Sequence, residues 1–339
     1  MVRTVQSQRG RLRVIALVIV AAVLCSIGGL IWYRYDPNPL AGRQLYVPGD
    51  SQAARQLARQ TVSVGQPTDS LKLLAAQPTA VWINDGSPEE VRLKAQSIAA
   101  AAHAQGTTPA VVIYGIPQRD CAQAGQTSVS TYVNWVAAIA DGLKIADQPD
   151  FRAIVILEPD ALAQLVASKD CLSSEQRQSR IEAIKSAIGL LVRNPQVMLY
   201  IDAGHPCWIN DLQALIDVLR QVDADRAQGL AVNVSNFQDT PSSINYGLQL
   251  GDELGNLHVI IDTSRNGNGP YATKDEVSDP SWCNPPSRRI GHLPTVMTQV
   301  HRVDAYIWVK PPGESDGTCH AGDPPAGEWM GEKATQMVG

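Results

Sequence analysis

Seven short runs of aliphatic and β-branched residues recur along this chain, and they constrain its fold more than any other feature. They are Ala80–Asn84, Ala110–Tyr114, Ala153–Leu157, Val197–Ile201, Leu230–Val234, His258–Asp262 and Ala305–Val309. Runs this short and this apolar predict strands buried on both faces. Helical patterns lie between most of them, at Glu89–Gln105, Val129–Lys144, Glu175–Arg193, Asp211–Arg220 and Pro241–Leu254. Alternating strands and helices imply an α/β fold with a mainly parallel sheet and helices outside it. Seven strands in about 290 residues fit a closed or nearly closed TIM-like β/α barrel better than two Rossmann halves. A doubly wound open sheet is the alternative. No internal repeat and no second globular domain is visible.

Acids stand at the ends of these runs. Ile154–Leu157 runs into Glu158-Pro159, where proline ends the ladder, and Asp160 follows on a rigid turn. Asp202 follows Val197–Ile201, and Lys310-Pro311-Pro312-Gly313 leads from the last run to Glu314 and Asp316. An aspartate after a strand is often just the N-cap of the next helix, and for any one position that reading comes first. Repetition at equivalent strand ends, with Trp and His alongside, favours carboxylate acid/base chemistry on one face of the barrel. The turns expected at the other end, such as Gln105-Gly106-Thr107 and Arg193-Asn194-Pro195, are ordinary.

The chain has 339 residues and a net charge of −5, with acids and bases interspersed. That balance argues against nucleic acid as a partner. There is no P-loop, and no G-x-G-x-x-G follows a strand. Seven Trp and nine Tyr against two Phe suit wet, ring-stacking surfaces, although such rings can equally serve a core. None of the six cysteines forms C-x-x-C, which disfavours zinc. Residues 1–13 carry four arginines and no acid, and Val14–Trp32 is an uncharged run of about bilayer-spanning length. We read residues 14–32 as an uncleaved anchor with the remainder outside the cell, and a cleaved signal peptide as the rival. Residues 33–49 read as a linker and 50–339 as the catalytic domain.

Five loop motifs together are specific: Y-x-x-P-x-R-D-C at Tyr114–Cys121, E-P-D at Glu158–Asp160, D-A-G-H at Asp202–His205, D-T-S-R-N-G-N-G at Asp262–Gly269 and W-x-K-x-P-G-E-x-D-G at Trp308–Gly317. In this order they resemble glycoside hydrolase family six, the inverting β-1,4-glucanases that cut cellulose. The likeness runs from Leu45-Tyr46-Val47 to the end of the chain.

The resemblance implies a distorted barrel of seven parallel strands and a β-1,4-glucan or cello-oligosaccharide partner, with no cofactor and no metal. It makes Asp160 the general acid and Asp120 the aspartate that raises its pKa and helps relay a proton. Asp316 becomes the candidate base, Ser235 a holder of the attacking water, and Tyr114 the ring that crowds the sugar. Asp202, His205, Asn236, Lys310 and Glu314 become sugar contacts, and Trp82, Trp208, Trp282 and Trp308 stacking platforms. Arg288 is expected near Asp316, Trp135 and Asp262 are expected to be structural, and Arg119 and Arg265 suit buried salt bridges and ligand contacts equally. Gly115, where many relatives carry Asn, predicts a looser loop. Disulfides Cys121–Cys171 and Cys283–Cys319 are implied, leaving Cys207 as a free, partly buried thiol.

An inverting mechanism requires the two carboxyl groups to stand roughly 6.5–9.5 Å apart. The compact stretches over residues 269–304 predict an open cleft and internal cutting by a monomer. A catalytically weak glycan-binding or sensing protein of the envelope is the competing class.

Overall fold

A computed structural model describes residues 37–62, 68–122, 124–168, 171–272 and 280–339. The basic stub and the apolar run at residues 14–32 lie outside the described residues. Among the described residues, no helix is long and apolar enough to cross a membrane.

The seven strands are β1 (Val81–Ile83), β2 (Ala110–Ile113), β3 (Ala153–Leu157), β4 (Val197–Asp202), β5 (Gly229–Val232), β6 (His258–Asp262) and β7 (Val303–Ile307). They pair in sequence order and always in parallel. A doubly wound sheet would reverse its strand order part-way, so the sequential order excludes that alternative. The sheet curls until its ends meet. Ala80 N–H donates to Trp308 O at 2.9 Å, and Trp82 Nε1–H donates to Val309 O at 2.8 Å. These bonds stitch β1 to β7 where no ladder forms.

Side chains along each strand divide between two layers. Val111, Ile113, Val155, Leu157, Leu199 and Ile201 point outward into the core shared with the helices. Val112, Ile154, Ile156, Tyr200, Ile260 and Ile307 fill the barrel interior. Both faces are dry, which is why the strands read as continuous apolar runs without polar alternation.

The helices are α1 (Gln52–Val62), α2 (Asp69–Ala75), α3 (Pro88–Ala104), α4 (Val129–Gly142), α5 (Ala161–Ala167), α6 (Ser174–Leu191), α7 (Leu212–Gln221), α8 (Thr240–Glu253) and α9 (Gly331–Gln336). Capping boxes start α3 at Ser87 and Glu90, α4 at Ser128 and Thr131, and α6 at Ser173 and Gln176. Each satisfies two backbone donors that a helix start leaves open. The sequence reading missed α1, α2, α5 and α9. Three of these are only six or seven residues long, too short for a periodic pattern to stand out.

Three boundaries moved for identifiable reasons. Strand β7 ends at Ile307 and not Val309, because the N–H groups of Val309 and Lys310 are taken by the Asp262 carboxylate. Strand β5 stops at Val232, because Asn233 turns left-handed at φ 64°. Within residues 33–49, Leu40 is fully buried and Leu45 forms a parallel bridge with Thr108. The compact unit accordingly begins at Leu40.

Candidate active site

Non-glycine residues with left-handed backbone collect in the loops after the strands. They include Gln118, Asp120 and Cys121 after β2, Glu158 and Asp160 after β3, and Asn233 and Ser235 after β5. Each such residue costs on the order of 1–3 kcal/mol and persists only where its surroundings hold it.

Asp160 is the N-cap residue of α5, yet its side chain makes no capping bond and its φ is 69°. The carboxyl group is therefore not engaged by the helix. Burial, then the charges of Asp120 and of Asp316, push its pKa up to about 7.

Beneath Asp160 lies Asp202, whose Oδ1 accepts from Asp160 N–H at 2.9 Å and from Gly204 N–H at 3.1 Å. At 1% exposure Asp202 offers a sugar almost no surface, contrary to the expected sugar contact. Its buried Oδ2 has no hydrogen-bond partner. Burial and the nearby Asp160 push its pKa well up.

The β2 loop carries the second acid. Tyr114 donates its hydroxyl to Asp120 Oδ1. Arg119 stacks 4.4 Å above the Tyr114 ring and reaches Asp120 Oδ2 at 3.5 Å. Trp82 meets Tyr114 edge-on with ring centres 5.3 Å apart, and together they cover the barrel interior.

Glu158, to which the sequence reading gave no site role, anchors this loop. Its buried carboxyl accepts from Gly115 N–H at 2.8 Å and Ile116 N–H at 3.1 Å, while burial pushes its pKa up to about 7. The loop is not loosened by Gly115. A Cβ there would lie 2.8 Å from the Trp135 ring, so glycine lets the fully buried Trp135 close against the backbone.

Asp316 stands in a cationic setting. Its Oδ2 accepts from Arg265 Nη1 at 2.8 Å and from Asn284 N–H at 3.0 Å, and Oδ1 lies 4.0 Å from Lys310 Nζ. Asn284 returns the contact by accepting Asp316 N–H at 2.8 Å and also donates to Gly317 O. The arginine at Asp316 is Arg265. Arg288, expected there, instead lies near the Phe237 and Tyr271 rings. Arg265 Nη2 also donates to Ser235 O, tying the β5 loop to the same cluster.

Asp262 is structural, and more broadly than expected. Oδ1 accepts from Ser264 and Val309 N–H, and Oδ2 from Ser235 and Lys310 N–H, so one buried carboxylate joins the loops after β5, β6 and β7.

The expected sugar contacts are distributed unevenly. Trp282 is 55% exposed, whereas Trp308 is fully buried with its indole N–H on His292 O. Trp308 is therefore core and not a stacking platform, because its ring packs among Ala53 of α1, Leu71 and Leu74 of α2 and Ala334 of α9. Trp208 is half-buried against the outer core and lies beside His205, with ring centres 5.8 Å apart. Burial lowers the His205 pKa to about 4, which leaves that ring neutral near pH 7.

Lys310 is largely buried and donates to Ser315 O at 2.9 Å. Glu314 accepts from Gln52 of α1 at 2.9 Å. The side-chain oxygen of Asn236 is taken by Phe237 N–H and by Gln238.

Disulfides join Cys121 to Cys171 and Cys283 to Cys319, with Cα separations of 5.5 and 6.2 Å. Cys207 is free but exposed, where partial burial was expected. Among the described residues no His/Cys/Asp/Glu group could hold a metal ion. The arrangement offers one carboxyl whose pKa is raised to about 7 and a second carboxylate set among cations. Such a pair can donate a proton on one side of a bond and accept one on the other.

The model of Glycosyl hydrolases family 6 matches residues 40–339. Endoglucanase A of Cellulomonas fimi is 38% identical over 305 residues, covering 89% of this chain, which spans 62% of that protein's length. Endoglucanase 1 of Streptomyces halstedii is 32% identical over 314 residues, covering 89% of this chain and 90% of its own. The endoglucanase Cel6 of Mycobacterium tuberculosis, solved with methyl-cellobiosyl-4-deoxy-4-thio-β-D-cellobioside, superposes with a TM-score of 0.80 at 37% identity, covering 89% of this chain and 98% of that one. With the family match spanning the whole barrel and its loops, the chain belongs to glycosyl hydrolase family 6.

Proposed function

We propose that this protein hydrolyses β-1,4-glucosidic bonds of cellulose or a related β-glucan, with inversion and by internal cutting. The observation that carries the reading is Asp160. It occupies a helix N-cap position without capping, and burial together with Asp120 and Asp316 holds its proton to about pH 7.

In the reaction, Asp160 gives its proton to the glycosidic oxygen as the bond from that oxygen to C1 breaks. Water attacks C1 from the opposite face, and its proton passes to Asp316. Asp120, hydrogen-bonded to Tyr114, keeps the acid protonated by like-charge repulsion and lies on the route by which it is reprotonated. Ser235 holds the water, and Tyr114 crowds the ring at the cleavage point. Trp282, Trp82 and the exposed edge of Trp208 bear sugar rings, with Lys310, Glu314, Asn236 and His205 lining the same cleft.

Internal cutting follows from the short chain between Gly269 and Asp304, of which residues 273–279 lie outside the described residues. The endoglucanase names of the relatives support the same reading. Two disulfides favour an oxidising compartment outside the cytoplasm, and the uncharged run at residues 14–32 supports a membrane tether for a monomeric catalytic domain.

Proton NMR of the first product from a cello-oligosaccharide tests the stereochemistry. The α-anomer is expected, and β-anomer accumulation would refute inversion. On carboxymethylcellulose, viscosity should collapse well before reducing ends accumulate, and cellobiose as the sole early product would exclude internal cutting. Asp160→Asn should lose turnover on cellulose yet keep binding cello-oligosaccharides.

A further inference from the structure

Arg180 breaks the pattern of its helix. The face of α6 turned to the core consists of Arg180, Ala183, Ile184, Ala187, Ile188 and Leu191. That spacing is one apolar stripe, and an arginine stands where it calls for an aliphatic residue. Arg180 is only 2% exposed. Removing a guanidinium from water costs several kcal/mol unless its donors are met, so its acceptors say what it is for.

They lie on the β2 loop and on α5. Nη2 donates to Gln118 O at 2.6 Å, and Nη1 donates to Ala161 O at 3.2 Å and Gln164 Oε1 at 2.8 Å. Gln118 sits two residues before Asp120, within the left-handed stretch Gln118, Asp120 and Cys121. Ala161 directly follows Asp160, and Gln164 lies one turn further along α5. None of these bonds goes to a carboxylate, although Arg180 stands in the field of Glu158 and Asp120. The side chain is thus not one half of an ion pair.

Glu158 makes a second tie to the β2 loop through Gly115 and Ile116 N–H. The β2 loop is thus hydrogen-bonded to the segment after β3 at two places, of which the Arg180 tie lies nearer Asp120, and the Cys121–Cys171 disulfide holds the far side of Asp120.

We propose that Arg180 is a positioning residue, one whose guanidinium fork fixes the Asp120 loop against the first turn of α5 and so sets where Asp120 and Tyr114 stand relative to Asp160. The inference rests on Asp160 as general acid. A lysine keeps the charge but lacks the planar fork that spans both segments.

Protonation of the leaving group is the step this geometry serves. It matters for a poor leaving group and hardly at all for a very good one. Arg180→Lys is therefore measured on phenyl and 2,4-dinitrophenyl β-cellotriosides. For the phenyl substrate kcat is expected to fall about tenfold, and for the dinitrophenyl substrate by less than about twofold, with KM unchanged on both. Equal losses on the two substrates, or no loss on either, would overturn the proposal, since a merely structural arginine has no reason to discriminate between leaving groups.

Gln164→Ala removes one acceptor from a half-exposed position of α5, where folding is safe. It should show the same discrimination in smaller degree, and it decides the matter should Arg180→Lys fail to fold. Asp160→Asn is run in parallel. If its loss also ignores the leaving group, the acid assignment falls and this inference with it. If Asp160→Asn discriminates and Arg180→Lys does not, only the role of Arg180 falls.

Discussion

Asp160 illustrates what one side chain owes to its neighbours. Its pKa is raised first by burial, then by Asp120, then by Asp316, to about 7. A general acid works only while protonated, so kcat should decline tenfold per unit above about pH 7. Asp120→Asn removes one like charge, which lowers the Asp160 pKa and moves the falling limb to lower pH. A pH profile of kcat on a soluble oligosaccharide reads this directly, and a limb that stays put or moves up would contradict it. The candidacy of Asp160 was legible in E-P-D at the end of an apolar run. What the letters could not decide was capping against chemistry, because an N-cap aspartate and a catalytic one occupy the same place in sequence. Glu158, two residues earlier, reads only as the end of a strand, since nothing local reveals that its carboxyl accepts two amides from the preceding strand's loop.

Among the elements, the loops after β5, β6 and β7 behave as one unit because Asp262 accepts four of their backbone N–H groups. Asp262→Ala strips all four bonds inside a dry site. Each orphaned donor costs about 1–3 kcal/mol, part of which relaxation recovers. A loss of at least about 3 kcal/mol is expected, seen as a lower urea midpoint at unchanged slope. A midpoint within error of the parent would mean that the loops are held elsewhere. The same carboxylate explains why the last apolar run overstates its strand, since Val309 looks like strand but spends its N–H on Asp262. Element scale is also where Trp308 was misjudged. A tryptophan after a strand can face the cleft or the core, and only the docking of α1, α2 and α9 against it buries it.

Over the whole molecule, the two disulfides span 50 and 36 residues and adjoin the acids, with Cys121 beside Asp120 and Cys319 three residues beyond Asp316. Removing either by paired serine substitution should cost roughly 2–4 kcal/mol. The Cys121–Cys171 pair should also lower kcat at temperatures where the barrel remains folded. Melting curves and rates measured on the same samples separate the two effects, and a stability loss with unchanged kcat would show that this bond does not order the Asp120 loop.

The sequence by itself determined the strand count and the parallel barrel, which follow from local periodicity, and it showed acids at the strand ends, whose roles only the family resemblance implied. Only the tertiary structure decided which of those polar groups are buried and which partners they take. It put Asp202 beneath Asp160, gave Asp316 to Arg265 and not Arg288, and turned Arg180 inward between the β2 loop and α5. Burial and hydrogen-bond partnership join residues tens of positions apart, so no local pattern carries them. They exist only once the sheet has curled and the loops of different strands meet.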